Sequence, residues 1–99
     1  MKAFKFKIDG KEGFLSVIEK PEFYYALVQK NTQKVKFIQE TNKLLISYEL
    51  KNPQFKEVCV NISNDQELIK SVYDQLEAEK NLYFKQLDDT LCVLEIEKE

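Results

Sequence analysis

The sequence predicts a mainly β domain. Six strands form a mostly antiparallel sheet curled into a small barrel, with two short helices on its surface. Three observations lead there. Most of the chain reads as short runs of apolar residues, either alternating with polar ones or bounded by turn residues. Asp9-Gly10 stands between the first two runs, a strong hairpin signal. Only two stretches carry a helical period, too few and too late for a doubly wound parallel sheet. The predicted order is β-β-β-α-β-β-α-β, in one domain over residues 1–99.

The first strand, residues 3–8, sets Phe4, Phe6 and Ile8 on one face and Lys5 and Lys7 on the other. Asp9-Gly10-Lys11-Glu12-Gly13 holds both glycines of the chain and is the turn. Residues 14–19 return as the second strand. Lys20-Pro21-Glu22 then breaks it, because proline cannot donate to a ladder. Residues 23–29, rich in aromatic and aliphatic side chains, form the third.

Asn31 or Thr32 can cap a short helix over 33–41, with Val35 and Ile38 facing inward. Residues 44–50 read as the fourth strand, with Leu44, Ile46, Tyr48 and Leu50 on one face. Lys51-Asn52-Pro53-Gln54 is a turn, and 55–62 is the fifth strand, aligning Val58, Val60 and Ile62. Ser63-Asn64-Asp65 opens the clearest helix. Ser63 with Gln66, or Asn64 with Glu67, resembles a capping box. Leu68, Ile69, Val72, Tyr73 and Leu76 make one apolar stripe, and the helix ends near Ala78. A loop over 80–88 carries Leu82, Tyr83 and Phe84, and 90–96 is the last strand.

Composition excludes several functions. The 15 basic residues are all lysine, against 17 acids, for a net charge of −2. That removes the electrostatic case for a general nucleic-acid binder. No apolar run approaches the roughly 20 residues of a membrane helix. Met1-Lys2-Ala3-Phe4-Lys5-Phe6-Lys7 is too charged for a signal-peptide core, which points to a cytoplasmic protein. Without histidine there is no Ser-His-Asp triad, no Cys-His pair and no histidine metal site. Cys59 and Cys92 both sit in strand-like apolar runs and read as reduced core residues. Side chains alone offer little catalytic chemistry, so an activity would belong to a bound cofactor.

One stretch resembles a known family. Phe23-Tyr24-Tyr25-Ala26-Leu27-Val28, then Thr32-Gln33-Lys34, then Leu44-Leu45-Ile46-Ser47-Tyr48 resemble the core of the pyridoxamine-5'-phosphate-oxidase-like, FMN-binding split-barrel proteins. In that family an aromatic-rich strand ends in a polar turn with Ser or Thr. A lysine follows two places later, then a short helix and another buried strand. The Asp9-Gly10 hairpin before this core, and the strand, helix and strand after it, also match. The resemblance implies a split barrel, a homodimer, and FMN in the groove between subunits, serving a flavin-dependent oxidoreductase.

The resemblance also implies site residues. A phosphate wants a hydroxyl, free backbone N–H groups at a helix start, and a cation. Thr32, the amides that follow at Gln33, and Lys34 supply these, with Lys30 and Lys36 adding positive charge. The flavin ring would lie against a strand, near Ser16 or Tyr25. Two departures favour a second reading, a cofactor-free homodimeric binding or regulatory module of the same fold. The family often places arginine on the phosphate, and this chain has only lysine, which lacks the bidentate fork. The family also commonly has a helix before the first strand, and here the first residues already read as strand.

Blander roles compete for the same residues. Lys30, Lys34, Lys36 and Lys43 read equally as the solvated face of a short helix, and Thr32 as a plain helix cap. Tyr24 and Phe84 read as packing residues, while Tyr25 and Tyr83 remain open as walls for a flat ring. Glu95, Glu97 and Glu99 alternate on one exposed strand face that resists aggregation. Lys5 and Lys7 can pair across to such a face, a contact worth at most about 1 kcal/mol.

Overall fold

The computed structural model describes residues 2–82, 84 and 87–98. The elements are β1 (Ala3–Ile8), β2 (Lys11–Glu19), β3 (Phe23–Gln29), α1 (Gln33–Thr41), β4 (Lys43–Ser47), β5 (Lys56–Ser63), α2 (Gln66–Ala78) and β6 (Leu91–Glu97). This is the order read from the sequence. The strands close into a barrel, β1-β2-β3-β6-β5-β4, and every pairing is antiparallel.

Two strands are shared between halves of the barrel. The first part of β2, residues 11–16, pairs with β1, and only Val17, Ile18 and Glu19 pair with β3. Likewise residues 56–59 of β5 pair with β4, and 60–63 with β6. The barrel is therefore closed but unevenly laced, and a wedge opens where β2 leaves β3.

Two clusters fill the molecule. The barrel interior holds Phe4, Leu15, Val17, Ala26, Val28, Leu44, Ile46, Val58, Val60, Cys92, Leu94 and Ile96, and α1 plugs it with Val35 and Ile38. Outside, α2 lays Ile69, Val72, Tyr73 and Leu76 on Ile18, Leu27, Leu91 and Val93. β6 is thus buried on both faces, so its sequence Leu91-Cys92-Val93-Leu94 does not alternate.

The hairpin is tighter than the sequence reading placed it. Asp9 and Gly10 alone form the turn, both at positive φ (50° and 78°), and β2 starts at Lys11. Gly13 lies inside the strand, opposite Phe6. A Cβ there would sit 2.5 Å from Phe6 Cζ, so the ring occupies the space that a side chain would fill.

Other details correct the sequence reading. β4 ends at Ser47, not at residue 50, and Leu50 is 44% exposed. Ser47 is buried. Its hydroxyl donates to Glu49 O (2.9 Å) and accepts from Gln54 N (3.0 Å), which turns the chain out of the sheet. The cap of α2 is Asp65, rather than Ser63 or Asn64: its carboxylate accepts from Glu67 N at 3.0 Å. Cys59 is not a core residue. Val58 and Val60 point inward, so the two-residue period turns Cys59 to solvent. Lys5 pairs with Glu12 of the adjacent strand at 3.1 Å rather than with the C-terminal acids, because β1 lies between β2 and β4, away from β6.

The chain ends are tied together. Lys2 and Lys98 both reach Glu19 at 2.9 Å, and both stand over the Tyr24 ring, at 5.4 and 5.0 Å. Hydrogen bonds from the two ammonium groups hold the Glu19 carboxyl down to about 2.

Candidate functional site

The site is built from an interrupted ladder. Lys20 N donates to Phe23 O, so residues 20 and 23 form a hydrogen-bonded pair. Such pairs recur at every second residue. Ile18 with Tyr25 is therefore the next, and Ser16 with Leu27 and Phe14 with Gln29 should follow. The pairing stops at Val17 and Ala26 instead. On their other sides β2 is bonded to β1, with Val17 N donating to Lys2 O at 3.0 Å, and β3 is bonded to β6 along its whole length. Ser16 and Leu27 therefore turn their main-chain N–H and C=O toward the gap. Among the described residues neither has a ladder partner there.

The gap is a cleft of about 370 Å³, within the roughly 300–1,000 Å³ of small-molecule sites. Its walls come from Phe14, Leu15 and Ser16 on one strand and Leu27, Val28 and Gln29 on the other. Leu76 of α2, with Asn81 and Phe84 beyond it, lies along one side. Asn81 is fixed by donating its side-chain amide to Lys2 O at 3.0 Å. Thr32 and Lys34 close the far end and also border a smaller hollow of about 190 Å³ beside Phe6 and Lys11.

That end is electropositive. Thr32 is the N-cap of α1, but its hydroxyl does not cap the helix. It donates to Gln29 O at 3.0 Å, occupying the carbonyl that would have bonded Phe14. The first turn of α1 holds no acid, whereas α2 begins with Asp65 and Glu67. The first N–H groups of α1 thus keep their partial positive charge. Lys34 adds a full one. It is half-buried, its Nζ stands 5.3 Å over the Phe6 ring, and no carboxylate pairs with it among the described residues. Burial lowers its pKa from the ordinary lysine value.

The structure thus brings Ser16, Thr32 and Lys34 to one cleft. Gln33 borders the smaller hollow, and its side-chain amide donates to Asp9 at 3.1 Å, tying α1 to the hairpin turn. Tyr25 lies elsewhere, on the paired part of the ladder opposite Ile18, and stacks on Phe23 at 6.1 Å. Burial, then Glu95 and Glu22, raise the pKa of its hydroxyl. Lys36 is exposed and does not line the cleft, because residues two apart on a helix point about 200° apart. Lys30 is exposed, and Lys43 pairs with Glu57 at 3.3 Å.

Among the aromatics, Tyr24 packs edge-on against Phe4 at 4.8 Å inside the barrel. Phe84 both packs under α2 and lines the cleft. Tyr83 and Glu99 lie outside the described residues. Phe14, Leu27, Leu76 and Asn81 were not read as site residues from the sequence. Leu27 and Leu76 look like ordinary core positions, and no local pattern marks Phe14 or Asn81. Among the described residues no cluster of three metal-ligating side chains is present, and no helix is long and apolar enough to cross a membrane.

No family model matches the chain, and no curated protein matches it. One similar solved structure is the crystal structure of a "Putative Pyridoxamine 5'-phosphate oxidase" from Listeria innocua. It shares 9% identity at a TM-score of 0.66, over 96% of this chain and 81% of that one. At that identity the likeness establishes the fold alone: the barrel of this chain is similar to the barrel of that structure.

Proposed function

We propose that this protein binds FMN in the β2–β3 cleft and acts as a flavin-dependent oxidoreductase of the pyridoxamine-phosphate-oxidase-like type, working as a homodimer. The observation that carries the reading is Lys34. A half-buried ammonium that pairs with no carboxylate among the described residues, beside a helix start with no acid, suits an anion. The residues fit the group. The first amides of α1 and Lys34 would hold the phosphate, Thr32 joining them only by turning its hydroxyl away from Gln29 O, and the cleft walls near Ser16 would hold the ring. A bound flavin supplies electron-transfer chemistry. The chain itself would position the ring and limit its contact with water.

The homodimer reading draws on the outer face of β1, β2 and β4. Phe14 (66% exposed) and Leu45 (37%) lie there, flanking Lys5 and Lys7. A second copy seated on that face would bury both and cover the open end of the cleft. The absence of arginine favours a second reading, a cofactor-free homodimeric binding module of the same fold.

The visible absorption spectrum of concentrated protein, taken before and after adding FMN and removing the excess, separates the two. Retained flavin colour supports the first reading, and Lys34→Glu should then abolish retention. Colourless protein that cannot hold added FMN, yet remains dimeric on sizing, supports the second.

A further inference from the structure

Lys2 joins two walls of the cleft on one atom. Its carbonyl oxygen accepts from Val17 N and from the Asn81 side-chain amide, both at 3.0 Å, which uses both of its lone pairs. Val17 is the residue at which β2 stops pairing with β3. Asn81 lines the side of the cleft made by α2, and its own N–H is bonded to Leu76 O at 2.8 Å. Lys2 itself precedes β1, where a backbone held by a single further rung opens easily. Its side chain is what holds it. The ammonium bonds Glu19 at 2.9 Å and stands over the ring of Tyr24, the residue opposite Glu19 on β3. Lys98, just past β6, bonds the other oxygen of the same carboxylate and stands over the same ring. These side chains are all partly exposed, so salt screens the pairs and weakens the hold.

We infer that the Lys2–Glu19–Lys98 clasp is a positioning device for the cleft: Glu19 holds Lys2, Lys2 holds Asn81, and the salt-sensitive strength of the clasp governs how long a ligand stays. The inference takes its ligand from the flavin reading and goes beyond it, because Lys2, Glu19 and Lys98 do not line the cleft. They act through Asn81 alone. Control of release is thus separate from the groups at Thr32 and Lys34 that would meet the ligand.

The test compares wild type with Glu19→Gln and, as a control, with Lys70→Met, which removes an exposed ion pair that takes no part in the clasp. Exchange of the Asn81 side-chain amide protons with water is followed by 15N NMR in ligand-free protein, and release of FMN by stopped-flow dilution. In Glu19→Gln both should quicken by about three- to ten-fold, as expected for two exposed pairs lost together. Salt at about 1 M should quicken Asn81 exchange in wild type and add nothing in Glu19→Gln. Lys70→Met should behave as wild type throughout. Asn81 exchange in Glu19→Gln equal to wild type, or faster exchange with unchanged FMN release, would overturn this inference and leave the flavin reading standing. If wild type holds no FMN, the flavin reading falls and Asn81 exchange alone decides the clasp.

Discussion

Lys34→Met should make the ligand-free protein more stable while removing its affinity for an anion. In the wild-type chain three effects act on the ammonium. It is the second residue of α1, at the positive end of the helix dipole, which costs about 0.3–1 kcal/mol. It is half-buried, with no carboxylate paired to it among the described residues, and burial lowers its pKa. Against these stands the Phe6 ring, 5.3 Å from Nζ, a contact worth about 0.5–1 kcal/mol. Methionine keeps the stem and replaces the last term with a sulfur–aromatic contact of about 0.3–1.5 kcal/mol. The two ring contacts nearly cancel, and the charge penalty is what disappears. The expected gain is about 0.5–1 kcal/mol, which for a 99-residue chain raises Tm by roughly 2–8 °C.

The pH dependence gives the sign a second check. The folded-state pKa of Lys34 lies below its unfolded value, so the fold binds this proton less well than the unfolded chain does. The penalty is complete below the folded pKa and fades as pH rises toward the ordinary value of 10.5. The advantage of methionine should be present at neutral pH and shrink in that alkaline window. Urea unfolding at neutral and alkaline pH, with and without FMN, measures all of this. Wild type at a hundred-fold excess over Kd should gain about 2.7 kcal/mol from ligand, and the variant far less. A variant less stable than wild type at neutral pH would refute the reasoning, because the ammonium would then be satisfied inside the protein and not waiting for an anion.

Three further predictions follow from the packing. Gly13→Ala should destabilise by about 1–3 kcal/mol in urea unfolding, since its Cβ would force the Phe6 ring aside; displacing that ring should also weaken FMN binding through Lys34. Glu19→Gln should lower the unfolding midpoint only where the carboxylate is ionised. The Glu19 pKa is depressed to about 2, so the deficit relative to wild type should be full above about pH 5, shrink as pH falls, and be gone below about pH 2. With a thiol reagent, Cys59 should label at once and Cys92 only on unfolding, because Cys92 is buried and burial raises its thiol pKa. Two fast thiols, or none, would contradict the register of β5 or β6.

Local pattern made most of the architecture legible. The spans of β3 and α1 match the sequence reading at both ends, because an aromatic-rich run and an amphipathic turn bounded by polar residues carry their own limits. The errors fell where a neighbour decides. β4 stops at Ser47 since Glu49 and Gln54 fold back onto its hydroxyl. Cys59 and Cys92 have similar flanking residues, yet the register of β5 turns Cys59 to solvent while that of β6 turns Cys92 into the barrel interior.

The site divides in the same way. Its electropositive end was readable, because Thr32, Gln33 and Lys34 are adjacent and the start of a helix is a local event. The rest of the cleft was not. Ser16 and Leu27 belong to different strands, and the cleft exists because their pairing stops at Val17 and Ala26. Side-chain periodicity reports which way each residue points within its own strand. Where a ladder ends is set by the path that six strands must take to close a barrel, a property of all of them together. Residue order determined the strands, the turn and the charged end of the cleft; closure of the barrel decided that β2 and β3 part and leave a cleft between them.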